Sequence, residues 1–316
     1  MFLTVCLNPT LQKTLCFSSV KPGAVNRTAV HRLDASGKGI NVTRVLKQLE
    51  KKALHLTHLP SCVADNVCNA GFLSPLFLSL CKQDGLAVEW VESNSQIRFC
   101  YTVIDESSGE VTELVEESSP VAEGTEQLLL EKFDIMLNHG YPLPTPHTLI
   151  ISGTKAAGYS ETVIPEMVRK AKEKGLRIIL DIKGDDLKEC LKYEPDIIKP
   201  NLDEFLETFG IGAGEARDTI LELAQKHKCR VILTNGSRKI LAAEGSNYFE
   251  VEIHPAPKNL GAGNTTGCGD AFTAGLAAAL FPCGKHENGA DFLTAINEGI
   301  RCGALNAGLL KPGSII

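Results

Sequence analysis

The sequence predicts an α/β protein in which a mostly parallel sheet is covered by helices on both faces. From residue 148 onward, short apolar runs alternate with segments whose apolar residues recur at helical spacing. Each run ends on a polar residue or glycine, as strands do when they feed a crossover helix. The chain has 316 residues, 43% hydrophobic and 22% charged, which suffices for one large domain plus an elaboration.

Taken in order, residues 1–7 read as a first buried strand. They lack the basic start of a signal peptide and meet Asn8-Pro9 at once. Residues 11–17 and 97–105 alternate partly with period two, and 106–109 form a turn before 110–116. These segments predict a small antiparallel sheet, interwoven with the core. The expected division is an α/β core of 1–10, 35–90 and 118–316, with 11–34 and 91–117 forming a lid over the strand ends. Further strands are expected at 148–153, 177–181, 196–201 and 230–234, and helices at about 160–174, 202–209, 214–227, 270–281 and 290–307. Ligands of parallel sheets bind beyond the C-terminal strand ends, which makes Gly153, Asp181, Asn201 and Gly236 site candidates.

Composition removes several classes of function. The net charge is −6 and the basic residues are dispersed, so no nucleic-acid footprint exists. No apolar run approaches the roughly 20 residues of a membrane helix. The eleven cysteines are odd in number, scattered and without a Cys-x-x-Cys pair, which favours reduced thiols and a cytoplasmic protein. No Gly-x-Gly-x-x-Gly follows the first strand, so a dinucleotide fold is disfavoured.

Two glycine-rich helix openings carry the chemistry. Residues 259–270, ending Thr265-Thr266-Gly267-Cys268-Gly269-Asp270, run into an apolar helix whose unpaired N–H groups and positive dipole end suit an anion. Asp270 at that point would be either a general base or simply a helix cap. Residues 35–46 form the second opening, with Gly37, Lys38, Gly39 and Asn41. Lys38 is followed by Gly39, so this is not a Walker A loop, yet the turn and its cation suit a phosphate. Arg27 and Arg98 are two further cations near expected strand starts.

With Leu7-Asn8-Pro9, Val25-Asn26-Arg27, Lys199-Pro200-Asn201-Leu202-Asp203-Glu204 and Lys311-Pro312-Gly313-Ser314 in the same order, the chain resembles the ribokinase-like (PfkB) carbohydrate kinases. Within them it resembles the 1-phosphofructokinase and tagatose-6-phosphate kinase branch. The resemblance implies a three-layer αβα fold with a small β-sheet lid, and ATP and Mg²⁺ as cofactors. It implies Asp270 as base and the N–H groups of Gly267, Cys268 and Gly269 as anion hole. Arg27, Lys38 and Arg98 would hold the acceptor's phosphate, with Gln12, Gly37, Gly39 and Asn41 around the sugar. Asp181, Asn201, Glu204, Thr234, Gly236 and Asn306 would contact the nucleotide, Asn201 and Glu204 reaching magnesium through water. Asn201 and Glu204 also fit a strand end and a dipole-stabilised helix start, and Asn306 a bridge between the last helices.

The expected reaction is phosphorylation of a primary hydroxyl of a ketohexose phosphate, fructose 1-phosphate first and tagatose 6-phosphate next. The alternatives are a kinase for an unphosphorylated sugar or nucleoside, and a non-catalytic sugar-phosphate-binding regulator. A homodimer through the lid is the expected assembly, with no nucleic-acid or membrane partner. Gln12 stands where the branch usually has Asp, and this puts the sugar's identity in doubt. Lys155 is expected to point into solvent, Arg44 to be structural, and His55 and His58 to be packed or at the surface instead of binding a metal.

Overall fold

The computed structural model describes residues 1–61, 70–139, 144–253, 263–282 and 289–316. The strands in chain order are β1 (Phe2–Val5), β2 (Thr10–Phe17), β3 (Val30–Ser36), β4 (Ala53–Pro60), β5 (Ala87–Ser93), β6 (Arg98–Asp105), β7 (Glu110–Val115), β8 (Thr148–Ser152), β9 (Arg177–Asp181), β10 (Ile197–Ile198), β11 (Arg230–Leu233), β12 (Ile240–Glu244) and β13 (Asn247–Val251). The helices are α1 (Lys38–Gln48), α2 (Ala70–Gln83), α3 (Thr125–His139), α4 (Val163–Glu173), α5 (Gly184–Cys190), α6 (Leu202–Phe209), α7 (Ala216–Lys226), α8 (Cys268–Leu280) and α9 (Phe292–Ala307).

A nine-stranded sheet runs β13-β12-β11-β10-β9-β8-β1-β4-β5. Its neighbouring strands pair in parallel except β11 with β12 and β12 with β13, β12 being the reversed strand. Consecutive strand residues point to opposite faces, and both faces here are apolar. Leu3, Ile151 and Ile178 pack with α3, α4 and α7. Their neighbours Phe2, Ile150 and Ile179 pack with α1, α8 and α9. The result is the three-layer architecture that uninterrupted apolar strand runs require.

The second sheet has the order β3-β2-β6-β7. Its outer pairs are antiparallel, but β2 and β6 run parallel, Thr10 opposite Arg98 through Phe17 opposite Asp105. The expected antiparallel sheet is therefore mixed, because its central strands come from two distant excursions and not from one hairpin. Leu11, Ala35 and Ile97 seat its base on Leu59 of β4 and Phe77 of α2.

His55 and His58 both lie on β4, three residues apart and hence on opposite faces. Each is buried and packed, His55 Nδ1 2.8 Å from Thr4 Oγ1 and His58 Nδ1 3.0 Å from the Tyr159 hydroxyl. Arg44 is structural, bonded to Asp84, Asn41 and the carbonyls of Ala35 and Pro312. Lys155 does not point into solvent as expected. It reaches the carboxylate of Asp186, 2.5 Å away.

Candidate active site

The parallel strands end on one edge of the large sheet, and a cleft of about 660 Å³ opens there beneath the small sheet. Gly267, the residue before α8, has φ +85°, a conformation that glycine adopts without strain. A Cβ at Gly267 would lie 2.3 Å from the backbone nitrogen of Gly313, so the turn packs directly on the segment after α9. Asn306 holds the same junction. Its Nδ2 donates to the Thr266 carbonyl at 2.9 Å and its Oδ1 accepts from the Ser314 N–H at 2.9 Å. Residues 259–262 of this glycine-rich stretch lie outside the described residues.

No side chain caps α8, which leaves its first turn open to an anion. Asp270 is thus not spent as a cap. Its carboxylate is 6% exposed, and Oδ2 accepts from Asn41 Nδ2 at 2.8 Å. Asn41 is itself fixed by Ser36 Oγ and Arg44 Nη1, both donating to Oδ1. Burial, with the nearby Asp181 charge, raises the Asp270 pKa to about 6, against the opposing pull of Lys38, Asn41 and Lys199. A carboxylate so placed is largely ionised at neutral pH yet a better base than an exposed one.

The α1 opening differs. Lys38 Nζ stands 3.7 Å from Asp181 Oδ1 and 3.4 Å from Glu204 Oε1. Attraction by Asp181, then Glu204, outweighs desolvation and raises the Lys38 pKa well above its ordinary value. Asp181, at the end of β9, is also 3.3 Å from the buried Lys199 ammonium. Burial alone would raise Asp181, but Lys199 and Lys38 hold it below the usual carboxylate range. Beyond β10, Asn201 and Glu204 form a reciprocal capping box at the start of α6. Asn201 Oδ1 accepts the Glu204 N–H at 2.7 Å and Glu204 Oε2 accepts the Asn201 N–H at 3.0 Å. The helix-start alternative is realised while both residues face the cleft. Thr234 after β11 faces it as well.

The cleft gathers most of the expected residues. Asp270, Gly267 and Gly269 line it together with Gln12, Gly37, Lys38, Asn41 and Arg98. Arg98 is half-buried, and its Nε has no partner among the described residues, an arrangement that seeks an anion. Six expected residues do not line the cleft, among them Gly153, just after β8. Arg27 is exposed on the segment before β3. Gly236 is exposed in the turn after β11. Gly39 packs inward, since a Cβ there would meet Cys6, His55 and the Val5 carbonyl, each at 2.9 Å. The Cys268 N–H donates to the Thr265 carbonyl at 3.2 Å, leaving Gly267 and Gly269 as the turn's cleft-lining glycines. Asn306 is fully buried as the bridge described above. Lys199, Glu113 and Thr266 line the cleft without having been singled out. The Lys199-Pro200-Asn201 run was a signal for the first, through its position one residue before a strand-end turn.

The family model for pfkB family carbohydrate kinases matches residues 14–314. The chain belongs to the pfkB family of carbohydrate kinases. This pfkB kinase is similar in fold to Escherichia coli phosphofructokinase-2 in complex with potassium, at 21% identity and a TM-score of 0.80 over 98% of this chain and 93% of that one. It is similar to a Thermotoga maritima protein described as a possible 1-phosphofructokinase, at 19% identity and a TM-score of 0.80 over 98% and 92% of the two chains. Thermotoga maritima ribokinase follows at 18% identity and a TM-score of 0.67, covering all of this chain and 95% of that one. Among the described residues, no helix is long and apolar enough to cross a membrane.

Proposed function

We propose that this pfkB kinase transfers the γ-phosphoryl group of ATP to a primary hydroxyl of a ketohexose phosphate, fructose 1-phosphate before tagatose 6-phosphate. The observation that carries the reading is a buried, uncapping carboxylate, Asp270, at an open helix N-terminus in one cleft with Arg98. Asp270 accepts the proton of the attacking hydroxyl, and Asn41 holds the carboxylate in place. The first turn of α8, with Gly267 and Gly269, stabilises charge on the phosphoryl oxygens as it moves. Arg98 offers a guanidinium to the acceptor's own phosphate. The nucleotide lies along Asp181, Asn201, Glu204 and Thr234.

Among the described residues, no group of three His, Cys, Asp or Glu side chains could hold a metal directly. Asn201 Oδ1 and Glu204 are already hydrogen-bonded. That fits a magnesium ion held by phosphate oxygens and water, with Asn201 and Glu204 reaching it through its hydration shell. When bound, the ion neutralises phosphate charge.

A second reading, an acceptor without a phosphate, is favoured by the commitment of Lys38 to Asp181 and Glu204 and by an exposed Arg27 that does not line the cleft. ADP release measured on hexose monophosphates and free sugars separates the two. Turnover confined to phosphorylated acceptors, with Arg98→Ala raising their KM about tenfold or more, supports the first. Equal turnover of free sugars, unaffected by Arg98→Ala, supports the second.

A further inference from the structure

A chain of four side chains crosses the roof of the cleft and takes part in none of the steps above. Gln12 Nε2 donates to Thr102 Oγ1 at 2.8 Å, and Thr102 Oγ1 meets Thr266 Oγ1 at 3.2 Å. Thr266 Oγ1 donates to Glu113 Oε1 at 2.6 Å. The chain ties β2, β6 and β7 of the small sheet to the turn that opens α8. Gln12 and Thr102 are buried, at 5% and 0% exposure.

Its direction follows from its end. An ionised carboxylate only accepts, so the single Thr266 proton goes to Glu113, at a length normal for a charge-assisted O–H···O⁻ bond. Thr266 Oγ1 is then left to accept from Thr102, which uses the Thr102 proton. Thr102 in turn accepts from Gln12. The nitrogen and oxygen of an amide are told apart only by such a network, and here it sets Nε2 against Thr102. The opposite orientation would bring two proton-less oxygens together somewhere along the chain. Gln12 Oε1 makes no hydrogen bond among the described residues, is not sealed from solvent, and belongs to a side chain lining the cleft.

We propose that this directed chain latches the small sheet onto the turn that opens α8 and fixes the orientation of Gln12, the side chain expected beside the sugar, so that its Oε1 is turned to the acceptor. Thr102, Thr266 and Glu113 are then positioning residues for acceptor recognition, a role that rests on the kinase reading above. The sugar position facing Gln12 carries a hydroxyl that donates.

The test compares the parent with Glu113→Ala, Thr102→Val and Glu113→Gln. Glu113→Ala removes the terminal acceptor, Thr102→Val breaks the chain without changing its volume, and Glu113→Gln keeps an accepting oxygen. Two quantities are measured: KM for the parent's best acceptor and for ATP by ADP release, and amide hydrogen exchange of residues 110–115 and 264–267 without ligands. The expected result is an acceptor KM raised about tenfold in Glu113→Ala and Thr102→Val, with the ATP KM unchanged and both segments exchanging faster. Glu113→Gln should stay within about threefold of the parent. Equal rises in both KM values, a Glu113→Gln as impaired as Glu113→Ala, or unchanged exchange would each overturn the proposal. A parent that phosphorylates no sugar or sugar phosphate sinks the kinase reading, and the exchange data then still decide whether the latch exists.

Discussion

Two glycine-rich helix openings face one cleft, and they use their glycines and their charges in different ways. At α1, Gly39 is a wedge pressed against β1 and β4, and the cation Lys38 is already matched by Asp181 and Glu204. At α8, a Cβ on Gly269 would meet only Lys199 Nζ, at 3.9 Å, and the carboxylate Asp270 has no cation within ion-pair distance among the described residues. One opening is closed electrostatically and supports structure. The other keeps an unmatched charge under burial, which costs stability and leaves a group able to take a proton. Similar sequence patterns thus make a buttress and the proposed reaction centre, and the difference lies in what each is packed against.

The comparison is broken most severely at Asp270. Asp270→Asn should lower turnover about 10²–10⁴-fold by ADP release, while the fold persists. The folded protein holds the Asp270 proton more tightly than the unfolded chain does. Its contribution to stability is therefore fully present below the unfolded value of 3.8 and lost as pH rises through about 6. Denaturant titrations should accordingly find Asp270→Asn more stable than the parent by up to about 3 kcal/mol at pH 8 and equal to it near pH 3.5. Parent turnover should rise with pH with its midpoint near 6.

Next in size is the catalytic turn's own backbone. Gly267→Ala combines a left-handed φ with a contact on Gly313 that cannot yield, and should lose about 3 kcal/mol in a denaturant titration. Gly269→Ala, whose Cβ would meet only Lys199 Nζ at 3.9 Å, should stay within about 0.5 kcal/mol. On the α1 side, Gly39→Ala should cost about 1–3 kcal/mol through overpacking against Cys6, His55 and Val5. On the α1 side the smaller effect belongs to Lys38→Met. Lys38 is 39% exposed and Asp181 keeps Lys199, so the stability change should be under about 1 kcal/mol. Because Lys38 lowers the Asp270 pKa, its removal should move the pH midpoint of turnover upward.

The large sheet was legible because buried parallel strands are plain apolar runs, and 177–181 and 230–234 announce themselves without reference to anything distant. The direction of β2 against β6 was not. Period-two alternation says which face a residue occupies and nothing about which neighbour its strand finds. Asp270 could be singled out because helix opening and carboxylate are adjacent in sequence. Lys199 looks ordinary in a strand-end run, and its burial makes sense only once Asp181 on the neighbouring strand is beside it. Thr266 and Glu113 are 153 residues apart, and neither carries a local signal of the other. Lys155 went astray because an expectation from average exposure ignores the specific carboxylate, Asp186, that α5 brings to it.

A Cβ at Gly313 would lie 2.2 Å from the Asn41 Cβ, and Asn41 is the residue that orients Asp270. The base is thus shimmed by a segment more than 200 positions downstream of its orienting partner, as the separation of Arg44 from the Pro312 carbonyl, 268 residues, also records. During synthesis the strands of the large sheet are made before the segment that seats the base. A chain translated only as far as residue 312 would lack this support for Asn41, and with it the seat of Asp270.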